Sequence, residues 1–313
     1  MMNTKDNPKT LLEAIRFFAD YEHCRTFMVK ARWSDGVVRC PQCNSDHVKY
    51  LENARLWKCY GEHPRPKFSL KVGTIFEDSS LPLEKWLPAV WLLANCKNGI
   101  SSYELHRALG VTQKSAWFML HRIRLAMQTG TFIKLKGEVE ADETFIGGKA
   151  VNMHTQKRKR VITGTGVKSK TIVMGLLERG GKVCASVMPT RRKMDLQSEV
   201  KRHVQAGSTL YTDALPSYDG LAYHYNHKAI DHAVAYVNGR VHTNGLENFW
   251  SLLKRGIKGT YVSVEPFHLF RYLDEETFRY NLRKLDDAER FAAVLGQVVN
   301  RRLTYSEVTG GNA

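Results

Sequence analysis

Three carboxylates on three separated stretches are the residues of this sequence best able to do chemistry. Asp142 lies in Glu138-Val139-Glu140-Ala141-Asp142-Glu143-Thr144-Phe145-Ile146, where acids alternate with short apolar residues ahead of Gly147-Gly148. That period predicts a strand with Glu140, Asp142 and Thr144 on its polar face and Glu143 turned away. Asp213 closes a β-rich run from Ser208, before a turn that contains Pro216. Glu247 lies between His242 and Arg255, where Thr243 or Asn244 can cap a helix and Leu246, Phe249, Trp250 and Leu253 form one stripe. Glu247 and Lys254, two turns apart, then leave from a neighbouring face. An acid beside a packed stripe is costly unless it is paired or binds a cation. Acids from a strand centre, a strand end and a helix suit the oxygen-seeking ions Mg²⁺ or Mn²⁺. Glu140 competes for the strand position, and Asn244, one turn from Glu247, competes for the helical one. His242 is open between contacting substrate and preceding the cap.

A second constellation is sulfur-based. Cys40-Pro41-Gln42-Cys43 is a metal knuckle, and Cys59-Tyr60-Gly61-Glu62-His63 offers a second pair, so Cys40, Cys43, Cys59 and His63 can close a tetrahedral structural Zn²⁺ site, with His47 as a rival fourth ligand. Lys49, Lys58 and Lys67 around it favour thiolates and tolerate a nearby phosphate backbone. Cys24, Cys96 and Cys184 have no partner at ligand spacing and read as core.

The elements that must hold these residues follow from composition and pattern. A net charge of +16, from 47 Lys and Arg against 31 Asp and Glu, points to a polyanion, nucleic acid before membrane. The amino-terminal residues lack a signal peptide's apolar stretch, and no run approaches the ~18 apolar residues of a spanning helix, so an intracellular, membrane-free protein is expected. Thr10 to Tyr21, with Leu11, Leu12, Ile15, Phe17 and Phe18 in a helical pattern, predicts a helix, after which the chain passes Cys24 and reaches a turn at Arg32 to Gly36. Leu81 to Asn98 predicts another, with Pro82 near its start. Ile100 to Gly110 and Val111 to about Met127 then read as helix, turn, helix, whose second helix would present Thr112, Gln113, Lys114 and Arg122 to DNA. The basic run around Lys157 and Arg158, within a polar stretch from Lys149 to Lys170, reads as an excursion between strands with phosphate contact open to it.

Asp142 in ADETFIGG, Asp213 in YTDALPSY and Glu247 in HTNGLENFWSLLKR together resemble the Asp-Asp-Glu triad of insertion-sequence transposases, in the group with an amino-terminal zinc ribbon. The separations, 34 positions from Asp213 to Glu247 and 7 from there to Lys254, are similar to those of that superfamily. The resemblance implies a multidomain α+β or α/β chain: a helical segment over 1–36, a zinc ribbon over 37–78, a helix-turn-helix-like region over 79–130, a ribonuclease-H-like mixed-sheet catalytic domain over 131–305 and a disordered tail over 306–313. It also implies two Mg²⁺ or Mn²⁺ ions, bridged by Asp142 and held singly by Asp213 and Glu247. Lys254, with Arg255, would grip DNA. The expected partners are double-stranded DNA, both terminal inverted repeats and target, and further copies of the chain on that DNA. The expected place is the bacterial cytoplasm, at the nucleoid. Two other functions fit parts of the pattern: a structure-selective nuclease on the same fold, and a non-catalytic zinc-ribbon regulator.

Overall fold

Capping chemistry and apolar spacing set the first elements of the computed structural model, which describes residues 8–128, 134–148, 155, 156, 159, 170–230 and 242–310. Thr10 and Glu13 form a reciprocal capping box that starts α1 (Leu11–Phe18). Asp20 caps a second helix, α2 (Tyr21–Arg32), for which the pattern gave no separate signal, and a turn follows in which the Gly36 N–H donates to the Trp33 carbonyl. The ribbon follows as an antiparallel three-stranded sheet of β1 (Val48–Leu51), β2 (Leu56–Cys59) and β3 (Lys67–Phe68). Then come α3 (Leu83–Asn95), α4 (Ser102–Leu109) and α5 (Gln113–Met127). Gly110, in the left-handed conformation that favours glycine, ends α4, and Thr112 caps α5, so the predicted turn stands where it was placed.

The second unit, residues 129–281, is built on a five-stranded sheet. Its strands are β4 (Glu138–Ile146), β5 (Thr171–Glu178), β6 (Val183–Met188), β7 (Thr209–Asp213) and β8 (Asn226–Ile230), in the spatial order β6-β5-β4-β7-β8. The first three are antiparallel, whereas β7 and β8 run parallel to β4. This mixed sheet has the ribonuclease-H-like order. Strand alternation sends Val139, Ala141, Met174 and Leu176 to one face, under α6 (Lys193–His203). Val173, Leu177 and Ile146 go to the other, under α7 (Asn244–Arg255) and α8 (Leu269–Asn281). After α7 the helix widens into a π turn over Gly256–Tyr261.

The chain does not end in this unit. Residues 282–313 belong with residues 1–128, which corrects the expected catalytic domain of 131–305. There, α9 (Asp287–Leu295) carries Phe291, whose ring lies 5.5 Å from Phe18, 5.7 Å from Phe27 and 5.1 Å from Trp91. A buried aromatic cluster of that size outweighs sequence distance, so the returning segment completes the helical core. Of the tail expected to be disordered over 306–313, residues 311–313 lie outside the described residues, and the rest joins α10 (Tyr305–Thr309), capped by Thr304 and seated through the buried Val308. Most of Lys149 to Lys170, with Lys157 and Arg158, lies outside the described residues. No helix among those described is long and apolar enough to cross a membrane.

Candidate active site and metal centre

Asp142 sits at the middle of β4, paired with Gly175 of β5. That glycine makes the site possible, because a Cβ there would lie 2.6 Å from two ring atoms of Trp250 and 2.8 Å from Leu246. With no side chain in the way, α7 settles onto the sheet and the Trp250 indole crosses Gly175 to donate to Asp142 Oδ2 at 2.9 Å. The stripe predicted for α7 is the buried one: Leu246, Phe249, Trp250 and Leu253. Glu247 and Lys254 consequently line, with Asp142, Glu143, Thr144, Trp250 and Ser251, a single cleft of about 360 Å³.

Burial pushes the Asp142 carboxyl up to about 6; the indole N–H opposes this, while the charges of Glu143 and Asp213 add to it. Lys254 is held below the usual lysine range by partial burial and by Lys258, and Asp142 draws it back up. Asp213 ends β7 beside β4, whose last registered pair is Glu140 with Tyr211, so Asp142 and Asp213 each lie two residues further along. Its carboxylate accepts from the Leu215 N–H at 3.3 Å, and it does not line the cleft. Among the described residues, Asp142, Asp213 and Glu247 do not fall within 4.8 Å of one another as a group.

Glu140 and His242 do other work. Glu140 is 1% exposed and accepts from Arg179 Nε at 2.9 Å and from the Leu246 N–H at 3.0 Å. A carboxylate of the sheet thus satisfies the open amino end of α7, whose Thr243 makes no side-chain cap bond. Arg179 also donates to the His242 carbonyl at 2.8 Å, and His242 Nδ1 lies 3.6 Å from Glu140. Gly245 lets this anchor close: a Cβ there would meet Leu177 at 2.4 Å and Glu140 at 2.7 Å. These two rivals therefore fix the helix rather than line the cleft. Asn244 and Arg255 are exposed and do not line it either. Glu143 borders the cleft, but its carboxylate accepts from Arg191 at 3.0 Å and from the Tyr218 hydroxyl. The sequence reading counted Trp250 as core and missed Gly175, Arg179 and the anchoring role of Glu140. A buried tryptophan needs a partner for its N–H, and one three residues from Glu247 was the available signal.

In the ribbon, the donor atoms of Cys40, Cys43, Cys59 and His63 lie within 4.8 Å of one another. Cys43 Sγ is 3.6 Å from Cys59 Sγ, and Cys40 Sγ is 3.3 Å from His63 Nε2. A zinc tetrahedron with ~2.3 Å Zn–S bonds has sulfurs roughly 3.7 Å apart, so the four fit that ion as they stand. His47 instead stacks on Tyr60, 4.9 Å between centroids.

Of the residues expected to read DNA, Arg122 is a strut. It is 3% exposed, donates to the carbonyls of Leu303 at 3.1 Å and Glu77 at 2.6 Å, and stacks on Phe118. Helix α5 is buried over most of its second half, which leaves its first turn to the surface. There Thr112 spends its hydroxyl capping Ser115, Gln113 donates to Ser102 at 2.9 Å, and Lys114 is exposed, its ammonium 4.7 Å from the Tyr305 ring centroid.

A ribonuclease-H-like sheet bearing a carboxylate cleft thus occurs in one chain with a Cys₃His ribbon. The transposase zinc-ribbon domain matches residues 19–61 and the ISXO2-like transposase domain residues 134–281, and the chain belongs to this transposase family. It is 27% identical over 253 residues to an uncharacterized protein in transposable element ISH50 of Halobacterium salinarum, covering 77% of this chain and 84% of that one. An uncharacterized transposase-like protein of Haemophilus influenzae is 30% identical over 101 residues, 32% of this chain and 81% of its own length.

Proposed function

We propose that this transposase cleaves DNA at the ends of its element and joins the exposed 3′-hydroxyl to target DNA, using Asp142, Asp213 and Glu247 as cation ligands. The observation that carries this reading is the convergence of Asp142, Glu247 and Lys254 on one cleft. Asp142 supports it further, since a carboxyl raised by burial and by like charges is one that a cation would discharge. Two divalent ions held there would activate the attacking oxygen and stabilise the leaving one.

In this assignment Asp142, its Oδ2 steadied by the Trp250 indole, would hold the cations together with Asp213 and Glu247. Lys254, partly buried and next to Asp142, binds the phosphate beside the scissile bond, with Arg255 further along the strand. Phosphodiester exchange by an oxygen nucleophile needs no covalent protein intermediate. The Cys₃His group holds a structural zinc, and the ribbon with the first turn of α5 engages the terminal repeats, with copies of the chain pairing two ends.

Asp142→Asn, Asp213→Asn and Glu247→Gln are expected to abolish Mg²⁺-dependent cleavage of duplexes carrying the element ends while duplex binding persists. Cleavage retained in any of the three would remove that residue from the site.

A further inference from the structure

The free face of the ribbon sheet carries three lysines in one row. Register sets Lys49 opposite Lys58 and Lys58 opposite Lys67. Registered side chains leave the same face, so the row crosses all three strands and spans roughly 9–10 Å at the usual strand spacing. The alternate positions face the other way and are packed. Trp57 and Phe68 are buried and stacked 6.2 Å apart, Tyr50 lies 4.6 Å from Trp57, and Arg25 of α2 sits over Tyr50 at 4.5 Å.

Like charges placed directly across a ladder repel, and here no acid interrupts them. Asp46, Glu52 and Glu62 lie beyond the ladder rather than at registered positions. Asp35 and Glu84 are paired with Arg39 and Arg55. Among the described residues none of the three lysines joins an ion pair with a carboxylate. Beside the row, Tyr60 is 48% exposed, with the Lys58 ammonium 5.0 Å from its ring and His47 stacked on it. The surface is thus three ammonium groups with a phenol and an imidazole at one end.

We propose that this face docks on the sugar-phosphate backbone of a DNA duplex and holds it without reading its sequence, a reading that rests on the transposase function proposed above. Duplex DNA carries a charge every ~1.7 Å of axis, so a fixed cationic row of this length meets phosphates in any orientation. Ammonium groups are point donors that carry no base code, and a tyrosine hydroxyl is a common phosphate donor. A second copy of the chain is the wrong partner, since it brings a further net charge of +16.

The test is the salt dependence of duplex binding by the full-length protein, for a duplex with the element ends and for a scrambled duplex of equal length. The triple variant Lys49→Gln, Lys58→Gln, Lys67→Gln is expected to lower the log-affinity against log-salt slope by about 2.7, at ~0.9 per phosphate contact. Between ~50 and ~200 mM salt the native protein then loses about 40-fold more affinity than the variant, on both duplexes alike. Lys67→Gln alone, at an exposed position, should lower the slope by about 0.9. Removing as many charges elsewhere, at Lys9, Lys30 and Lys97, should leave it unchanged. An unchanged slope in the row variant, or a loss confined to the element-end duplex, overturns the proposal while cleavage that depends on Asp142 preserves the transposase reading. A native protein that binds neither duplex overturns both.

Discussion

Gly175→Ala tests the architecture of the cleft most directly. In the middle of a strand, alanine ordinarily improves on glycine by roughly 0.5–1 kcal/mol, because less backbone entropy is lost on folding. Here the added Cβ would stand 2.6 Å from two atoms of the Trp250 ring and 2.8 Å from Leu246, and both of those side chains are buried. Ordinary contact begins near 3.4 Å, so the indole has to retreat by most of an ångström. Its 2.9 Å bond to Asp142 does not survive that shift. Overpacking of this kind costs about 1–3 kcal/mol, which reverses the sign expected from propensity. The chemistry suffers more than the stability: displacement of α7 carries Glu247 and Lys254 away from Asp142, and about 1 Å of misplacement costs on the order of 100-fold in rate. Urea unfolding together with Mg²⁺-dependent cleavage measures both effects. Metal content of the ribbon and duplex affinity should stay at native values. A Gly175→Ala protein as stable and as active as the native one would refute the claim that this glycine seats the helix.

Other outcomes follow from the same geometry. Arg122→Gln removes two charged-donor hydrogen bonds to the Leu303 and Glu77 carbonyls, and should destabilise the protein by about 2–3 kcal/mol in urea while the folded fraction binds duplex normally; selective loss of binding would restore Arg122 to the DNA surface. Asp142 has its folded value raised from 3.8 to about 6, so the folded state holds the extra proton and stability falls as pH rises from about 4 through 6, by at most about 3 kcal/mol. Without divalent ions, Asp142→Asn should therefore unfold at higher urea than the native protein at pH 7 and lose this pH slope; equal midpoints would show that burial does not strain the carboxylate. Glu140→Ala strips the buried partner of Arg179 and the cap of α7, and about 3–5 kcal/mol is expected in thermal or urea unfolding. Cys43→Ser, read by bound-zinc stoichiometry, should fall from one ion to none, and full retention would place the metal elsewhere.

Local chemistry by itself determined much of this protein. Period and capping residues fixed α4, α5 and the buried stripe of α7, because those signals act within a few residues. The knuckle spacing marked Cys40, Cys43 and Cys59 for the same reason, while the choice between His63 and His47 beside them waited on the fold. What sequence could not supply was set by distant partners. Whether Glu140 or Asp142 faces the cleft depended on α7 crossing the sheet, since both share one strand face and differ only in what lies above them. Arg122 looked available on a helix, yet Glu77, 45 residues before it, and Leu303, 181 residues after it, converge on it. Phe291 and the returning α9 joined the helical unit because buried aromatic area, not chain order, decides where a segment packs. Lys49, Lys58 and Lys67 could be grouped around the metal site by sequence, but only strand register turns them into one row on one face.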